Sequence, residues 1–570
     1  VARLALEPEH QTVTEHEIAP PEFANRLGGI ENRRSATSPA HTSLPGAIMT
    51  FSQRTFLSWL LLFFLTTPFS PPRCAADEQR LSPAIRRIIE APRFKHAHWG
   101  ILVVDLKSGE TLHQLNADHL FAPASTTKLY SVAAALDRLG ADFRFQTPIY
   151  RQGDVDASGR LKGNLILVAS GDLTMGGRTG ESGEIEFTDH DHTYADGDSR
   201  TQLTKANPLA GLDALAAQLA HAGIKRVDGE VVVDARLFDP ADSTGSGPRQ
   251  LTPVLVNDNL IDITITPSTE GSSALVDWRP QASFLKLDAH VATVHGGEPR
   301  IDVSRHDGVV LVRGTIPARH RPVIHVQEVS DPVRWARGLF IEALQRAGVE
   351  VSARSDQPNP DHLLPEKLAY ERLERVAVLE SPPFSENARL ILKVSHNLHA
   401  STLPLLVAVQ SGKRTLGDGL RLQGKFLKEA GIRVDEISFA GAAGGANADF
   451  TTPRVTVDLL RYMATRPDFA VYERALPILG VDGTLADAVA KDSPARGNVR
   501  AKTGTLYWYN AMNDGYLLTS KALAGYLDAK SGRRLAFSFV VNGVHLKRLE
   551  ERNEIGKILG QLCEAIYVSQ

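Results

Sequence analysis

Apolar positions in this chain fall into runs of two periods, and their order sets out an architecture. His98-Trp-Gly-Ile-Leu-Val-Val-Asp105 is an apolar run of strand length, Leu106–Glu110 a polar turn, and Thr111-Leu-His-Gln-Leu115 a second strand, which together predict a hairpin. Beyond it Leu129, Val132, Ala133, Leu136 and Leu139 recur at helical spacing and stop at Gly140, so a helix opens within Phe121–Tyr130. Ala388–Val394 is another apolar helical stretch, and Val499–Leu506 a short alternating strand whose successive side chains face opposite ways. Helical patterns at Ala210–Leu219 and Pro332–Leu344 flank a strand-rich, turn-rich middle.

The N-terminal region lacks this order. Residues 1–48 are polar and rich in Pro and Ser, and read as disordered or as an upstream start assigned too early. From Met49, Arg54 supplies a positive region, Phe56–Leu65 an apolar core and Cys74-Ala-Ala76 a small-residue cleavage site, so 49–76 is expected to be a secretory signal. The alternative, a membrane anchor, is disfavoured because the run falls short of the roughly 20 apolar residues that span a bilayer.

Composition narrows the classes. The 570 residues, 42% of them hydrophobic, can form on the order of two to four packed domains. With 63 basic against 66 acidic residues and no long basic run, nothing favours nucleic acid. The two cysteines, Cys74 and Cys563, predict no disulfide, and a domain of this size needs none.

Candidate chemistry sits at the head of the first helix. Ser125 and Lys128 are three apart, so on a helix the amine reaches the hydroxyl while free N–H groups face an oxyanion beside the serine. That arrangement suits a serine nucleophile with a lysine base. A second Ser-x-x-Lys, Ser283–Lys286, lies in a stretch that reads as strand, where the two side chains would face opposite sides. Ser395-His-Asn397 follows the helical stretch ending at Val394; the similar Ser385-Glu-Asn387 is better explained by Ser385 capping that helix. Lys502-Thr-Gly504 lies on the alternating strand, with Gly504 leaving room for a substrate backbone, whereas Lys107-Ser-Gly109 and Lys530-Ser-Gly532 read as hairpin turns.

Ser-x-x-Lys, Ser-x-Asn and Lys-Thr-Gly in this order form the signature set of penicillin-binding proteins and serine β-lactamases. Pro123–Lys128, Asp142–Phe145, Val256-Asn-Asp-Asn259, Ser381-Pro-Pro383, Val394–Leu398, Leu479–Leu485 and Ala501–Thr505 extend the match. From about residue 80 onward the chain resembles the D-alanyl-D-alanine carboxypeptidase/endopeptidase family S13, the low-molecular-weight class C penicillin-binding proteins. The resemblance implies an α/β (α+β) fold: a transpeptidase-like domain, an antiparallel sheet flanked by helices, split by an inserted domain that carries a nested β-rich domain. The expected boundaries are 77–152 with 376–570 for the catalytic domain, 153–262 with 323–375 for the insertion, and 263–322 for the nested domain.

The resemblance also implies roles. Ser125 attacks the penultimate D-alanine carbonyl, Lys128 takes its proton, Ser395 passes a proton to the leaving amine and Asn397 holds the substrate amide. The N–H groups of Ser125 and Thr505 form the oxyanion hole, and Lys502, Thr503 and Thr505 bind the terminal carboxylate beside Gly504. An unperturbed lysine is neutral only about once in 2,500 molecules at pH 7, so burial or a second cation, with Lys502 the candidate, must lower the Lys128 pKa. No cofactor and no metal is implied. The expected partners are peptidoglycan stem peptides, with β-lactam antibiotics as covalent inhibitors; the expected location is the periplasm, with loose association at a membrane surface and the oligomeric state left open.

Several departures from the family pattern stand out. His396 replaces a usual acidic residue and reads as a tolerated surface change; Ala440–Gly445 lacks the polar side chains of an Asp-Gly-Ser-Gly turn; Ser246–Pro253 replaces a tryptophan-rich loop. An acidic, His-rich insertion, Gly180–Asp198, matches no metal-ligand spacing and is expected to be a solvated loop. Two competing readings remain: a serine β-lactamase, and a peptidoglycan-binding homologue without turnover.

Overall fold

A computed structural model describes residues 81–570; residues 1–48 and the proposed signal at 49–76, with Cys74, lie outside them. The hairpin forms as expected, with strands His98–Asp105 and Thr111–Leu115 joined through Lys107-Ser-Gly109. It completes a wholly antiparallel sheet in the order Val499–Asn510, Gly515–Asp528, Arg534–Asn542, His98–Asp105, Thr111–Leu115, with Val544–Leu546 pairing on the second of these. Lys530-Ser-Gly532 is the turn between two of its strands.

The helix Lys128–Leu139 is buried along its first nine residues, Lys128 to Leu136, and ends at Gly140, whose φ of 88° suits a residue without a Cβ. It packs against Phe384–Lys393 and Asn397–Val409, the latter also buried on every side. A helix apolar all round belongs inside a core. These three helices share one core with Phe426, Val455, Leu459 and Tyr526, while the opposite face of the sheet packs on Pro83–Ile89 and Glu551–Ser569 around Trp99, Phe537, Phe539 and Cys563. Cys563 is a buried free thiol.

Residues 146–380 build separate sheets. Gln146–Val155, Arg160–Val168, Arg226–Val227, Val231–Asp234, Glu350–Val351 and Glu374–Glu380 form a mixed sheet backed by helices Ala210–His221 and Pro332–Arg346. Two three-stranded sheets lie between those helices in sequence, one around Leu260–Thr266 and one around Val309–Pro317. No helix among the described residues is long and apolar enough to cross a membrane.

Two local expectations are corrected. Ser385 is not the cap of its helix: Pro383 holds that position and Ser385 is buried inside the first turn. Ser283 precedes rather than joins the strand Lys286–Val294, and its hydroxyl bonds Glu342. Neither look-alike reaches the cleft motifs.

Candidate active site

The nucleophile turn is built by backbone strain and close packing. Ala124 is buried with φ 47°, a left-handed conformation that costs an ordinary residue roughly 1–2 kcal/mol. It turns the chain from Pro123 into a short 3-10 turn, Ala124–Thr127, so that half-buried Ser125 stands just ahead of the α-helix. Gly504 faces this turn: a Cβ on it would lie 2.6 Å from the Pro123 carbonyl oxygen and 3.2 Å from the Ala124 methyl. The glycine therefore admits the nucleophile turn, which corrects the expectation that its space serves a substrate backbone.

Lys128 is fully buried, and its Nζ lies 2.9 Å from Ser125 Oγ, 2.7 Å from Asn397 Oδ1 and 2.8 Å from the Ala443 carbonyl oxygen. Asn397 Nδ2 donates to the Ser246 carbonyl and hydroxyl at 3.0 and 3.1 Å, which orients the amide and leaves Oδ1 for the lysine. Burial first, and the nearby Lys502 second, hold the Lys128 amine well below the usual lysine range. A neutral amine has two N–H bonds and one lone pair. Asn397 Oδ1 and Ala443 O take the two N–H bonds, and the lone pair faces the Ser125 hydroxyl.

The turn at 440–445 thus contributes backbone rather than side chains. Ser131 Oγ donates to Ala442 O at 3.1 Å, and Gly444 packs where a Cβ would sit 1.9 Å from the Ala124 carbonyl oxygen. Asp449 braces the turn by accepting from the N–H groups of Ala440 and Ala446 at 2.8 and 3.1 Å.

The strand Val499–Asn510 brings Lys502 up to Ser395. Its buried Nζ donates to Ser395 Oγ at 2.9 Å and to the Thr503 carbonyl at 2.8 Å. Burial, with Lys521 next in effect, lowers its pKa to about 7. Lys521, opposite Thr505 on the neighbouring strand, donates to Thr505 Oγ1 at 2.9 Å; burial, then Arg552, brings it to about 8. Thr503 Oγ1 donates to Thr484 Oγ1 at 2.8 Å. The residues expected from the sequence are thus brought together, Lys128 joining Ser125 to Asn397, Lys502 reaching Ser395 and Gly504 packing on the turn at Pro123–Ala124. Lys521, Ser246, Thr484 and the Ala443 carbonyl were not foreseen as site groups; Thr484 lay within the quoted Leu479–Leu485 match, and Ser246 and Ala443 within the two loops noted as departures, whereas Lys521 depends on strand register.

His396 is not a surface change. It is fully buried, its ring stacks on His399 at 3.6 Å, and its Nδ1 caps the helix Asn397–Val409 by accepting from His399 N at 3.3 Å. That acceptor role places the ring proton on Nε2, 3.3 Å from Asp258 Oδ1, which also lies 2.7 Å from His399 Nε2. Burial, then the His399 ring, lower the His396 pKa to about 4.

Asp258 belongs to a second surprise. Asn257, Asp258 and Asn259 carry φ of 52°, 54° and 56°, a left-handed turn that Asn and Asp tolerate best after glycine. The turn aims Asp258 at Arg178, which also holds Asp191 through two bonds of 2.7 and 3.0 Å; His192 bridges Asp258 and Asp262 at 2.9 and 2.5 Å, and Arg279 bonds Asp262 at 2.8 Å. Asp191, His192 and Thr193 are buried, so this part of the 180–198 insertion is not a solvated loop, although Glu181–Glu184, Asp189, Tyr194 and Asp196 are exposed. His192 keeps its charge, its pKa carried up to about 10 by Asp262 against the cost of burial. Asp258, His396 and His399 offer ligand atoms within 4.8 Å of one another and are the residues that could take a metal. The donor set speaks against that use. Asp258 already serves Arg178 and His192, and the three carboxylates Asp191, Asp258 and Asp262 are matched by Arg178, Arg279 and His192, leaving no charge for a dication to meet.

Known proteins resemble this chain over most of its length. The chain is 28% identical over 501 residues to a D-alanyl-D-alanine carboxypeptidase of Actinomadura sp. (strain R39), covering 83% of this chain and 84% of that one. It is 24% identical over 509 residues to the D-alanyl-D-alanine carboxypeptidase DacB of Haemophilus influenzae, covering 86% and 94%. The crystal structure of penicillin binding protein 4 (dacB) from H. influenzae superposes with a TM-score of 0.63 at 21% identity, over 85% of this chain and 99% of that one. That likeness shows the fold. The model of the D-Ala-D-Ala carboxypeptidase 3 (S13) family matches residues 81–562, nearly all of the described chain, and the chain belongs to that family.

Proposed function

We propose that this protein is a serine D-Ala-D-Ala carboxypeptidase, with endopeptidase activity on cross-links of the same chemistry, acting on peptidoglycan stem peptides through an acyl-enzyme on Ser125. The observation that carries the reading is the Lys128 amine, buried without a carboxylate in contact, with both its N–H acceptors supplied and its lone pair on the Ser125 hydroxyl.

In acylation Ser125 Oγ attacks the penultimate D-alanine carbonyl carbon and its proton passes to Lys128 Nζ. The tetrahedral oxyanion lies against the N–H groups of Ser125 and Thr505, donors worth roughly 2.7–4 kcal/mol each in comparable sites. Collapse breaks the peptide bond, and the leaving amine takes a proton from Ser395 Oγ, which Lys502 resupplies across its 2.9 Å contact. Water then attacks the ester carbonyl carbon, its proton passing through Ser395 to the now neutral Lys502, and the bond to Ser125 Oγ breaks as Lys128 returns its proton to that oxygen, so the serine and both amines end as they began. Asn397 Nδ2 donates to the substrate amide carbonyl, so an arriving peptide displaces Ser246 from that donor. Lys502, Thr503 and Thr505 hold the terminal carboxylate beside Gly504. β-Lactams acylate Ser125 by the same attack.

The limits expected from the sequence for a catalytic domain of 77–152 with 376–570, an inserted domain of 153–262 with 323–375 and a nested domain of 263–322 are crossed by the strands Gln146–Val155, Glu374–Glu380 and Leu260–Thr266, so the inserted part is better taken as 146–380. A signal at 49–76 and a periplasmic location follow from the sequence and from the substrate. The β-lactamase reading needs a base for fast deacylation, and Asp449, the carboxylate coupled to Lys128, is occupied in bracing the 440–446 turn. D-alanine release from a pentapeptide by wild type but not by Ser125→Ala, with stable labelling of Ser125 by a tagged penicillin, is the expected result. Rapid loss of the label favours the lactamase, and no labelling at all leaves only the binding homologue.

A further inference from the structure

We propose that residues 184–194 form a brace that sets the geometry of the second and third motifs for hydrolysis, with Tyr194 and Asp189 as positioning residues. The inference rests on the hydrolytic reading above.

The brace is fastened at both ends. Upstream, Ile185 is buried against Leu390 and Val394, its carbonyl accepts from Arg389 at 2.7 Å, and the Arg389 guanidinium lies 5.2 Å from the centre of the Phe187 ring. Downstream, Asp191 and His192 are held in the buried ion cluster by Arg178, Asp258 and Asp262. Asp189 between these anchors, and Tyr194 just beyond the second, reach motif backbones.

Tyr194 Oη donates to the Ser395 carbonyl oxygen. Ser395 carries φ 64°, which costs a serine roughly 1–2 kcal/mol, so the peptide after it needs a partner that keeps it turned. That turn points Ser395 Oγ at Lys502 and starts the helix at Asn397. Desolvation of its hydroxyl end and the Asp191 carboxylate raise the phenol pKa although the residue is 40% exposed, so Tyr194 remains a donor.

Asp189 Oδ1 accepts from Gly483 N at 2.6 Å. Gly483 has φ 59° and sits where a Cβ would meet the Lys393 carbonyl oxygen at 2.5 Å, so that turn has one conformation available. The next residue, Thr484, accepts the Thr503 hydroxyl. One short segment thus bears on the serine that serves the leaving group and on the threonine that serves the carboxylate.

A loop that only stabilised the fold would lower the melting temperature without changing the folded enzyme's kinetics. The test therefore measures kcat and KM for D-alanine release from a D-Ala-D-Ala pentapeptide, the rate of Ser125 acylation by labelled penicillin, and Tm. Tyr194→Phe is expected to lower kcat and the acylation rate about fivefold to tenfold, with KM little changed, the worth of one hydrogen bond. It should cause little further loss in a Ser395→Ala background. Asp189→Ala is expected to raise KM about twofold to threefold through Thr503. Glu181→Gln, at the exposed end of the insertion, should match wild type. Wild-type kcat in Tyr194→Phe, or a loss that adds in full to that of Ser395→Ala, overturns the brace alone. Should Tyr194→Phe not fold, an unchanged KM in Asp189→Ala overturns it. If wild type and Glu181→Gln neither label nor release D-alanine, the hydrolytic reading falls and the brace with it.

Discussion

Two buried polar regions flank Ser395, and they treat charge in opposite ways. On one side Lys128, Lys502 and Lys521 meet hydroxyls, an amide and carbonyls, and all three pKa values are depressed. On the other, Arg178, Arg279 and His192 each face carboxylates, and Asp191, Asp258 and Asp262 stay ionised with lowered pKa values despite burial. A buried charge with a well-placed opposite partner is locked and inert; a buried amine denied one is ready to exchange a proton. The reactive side accepts the desolvation cost and the structural side cancels it.

The contrast is broken most directly at Lys128. Lys128→Met should slow labelling of Ser125 by penicillin about 10²- to 10⁴-fold, the usual worth of a general base. The same change should leave thermal stability equal or higher, because a buried amine is replaced by an apolar chain of similar length. A labelling rate within tenfold of wild type would sink the assignment of Lys128 as base.

Asp258→Asn tests the paired side. It leaves Arg178 and His192 short of a buried counter-charge, and urea denaturation should register a loss of about 3–5 kcal/mol. A loss below about 1 kcal/mol would mean that water or a rearranged pair compensates and that the cluster is not what fixes His396.

A smaller effect is expected from the substrate. Amidating its terminal carboxylate should lower kcat/KM by about 10- to 150-fold, equivalent to about 1.5–3 kcal/mol for a charge-assisted hydrogen bond. An unchanged rate removes Lys502 and Thr503 from carboxylate binding.

The smallest effects are in pH. With Lys502 at about 7, kcat/KM for a carboxylate-terminated peptide should decline as pH rises through 7, because the free enzyme loses the cation that binds it. Stability should move the other way. Lys502 titrates at about 7 when folded and near the ordinary lysine value, about 10.4, when unfolded, so between those values the unfolded chain binds more protons and stability rises with pH. Lys502→Met should flatten that rise in denaturation curves taken from pH 7 to pH 9; an equal slope in both proteins would place Lys502's pKa near its ordinary value.

The legible parts of this molecule are those where a residue type answers to a local rule. The hairpin at 98–115, the helix stopped by Gly140 and the strand carrying Lys502 follow from apolar period and turn residues, and the three motifs fall on them. His396 was misread because one position in a polar tripeptide carries no sign of burial. Its surroundings come from Asp258, which is 138 residues earlier in the chain, and from His399 one turn along the helix. The 180–198 segment was misread for the same reason: acidic and histidine residues look solvated until Arg178, Asp262 and Arg279 are seen beside them. Gly504 was rightly marked as a place where a side chain cannot fit, but what fills the space is Pro123 and Ala124.

By itself the sequence picked out Ser125 with Lys128, the two further motifs and the family, because each depends on identities a few residues apart on one helix or strand. Tertiary structure alone decided which charges are locked and which are free. Proton affinity depends on every dipole and charge within several ångströms, and here those neighbours come from segments hundreds of residues apart that only folding brings together.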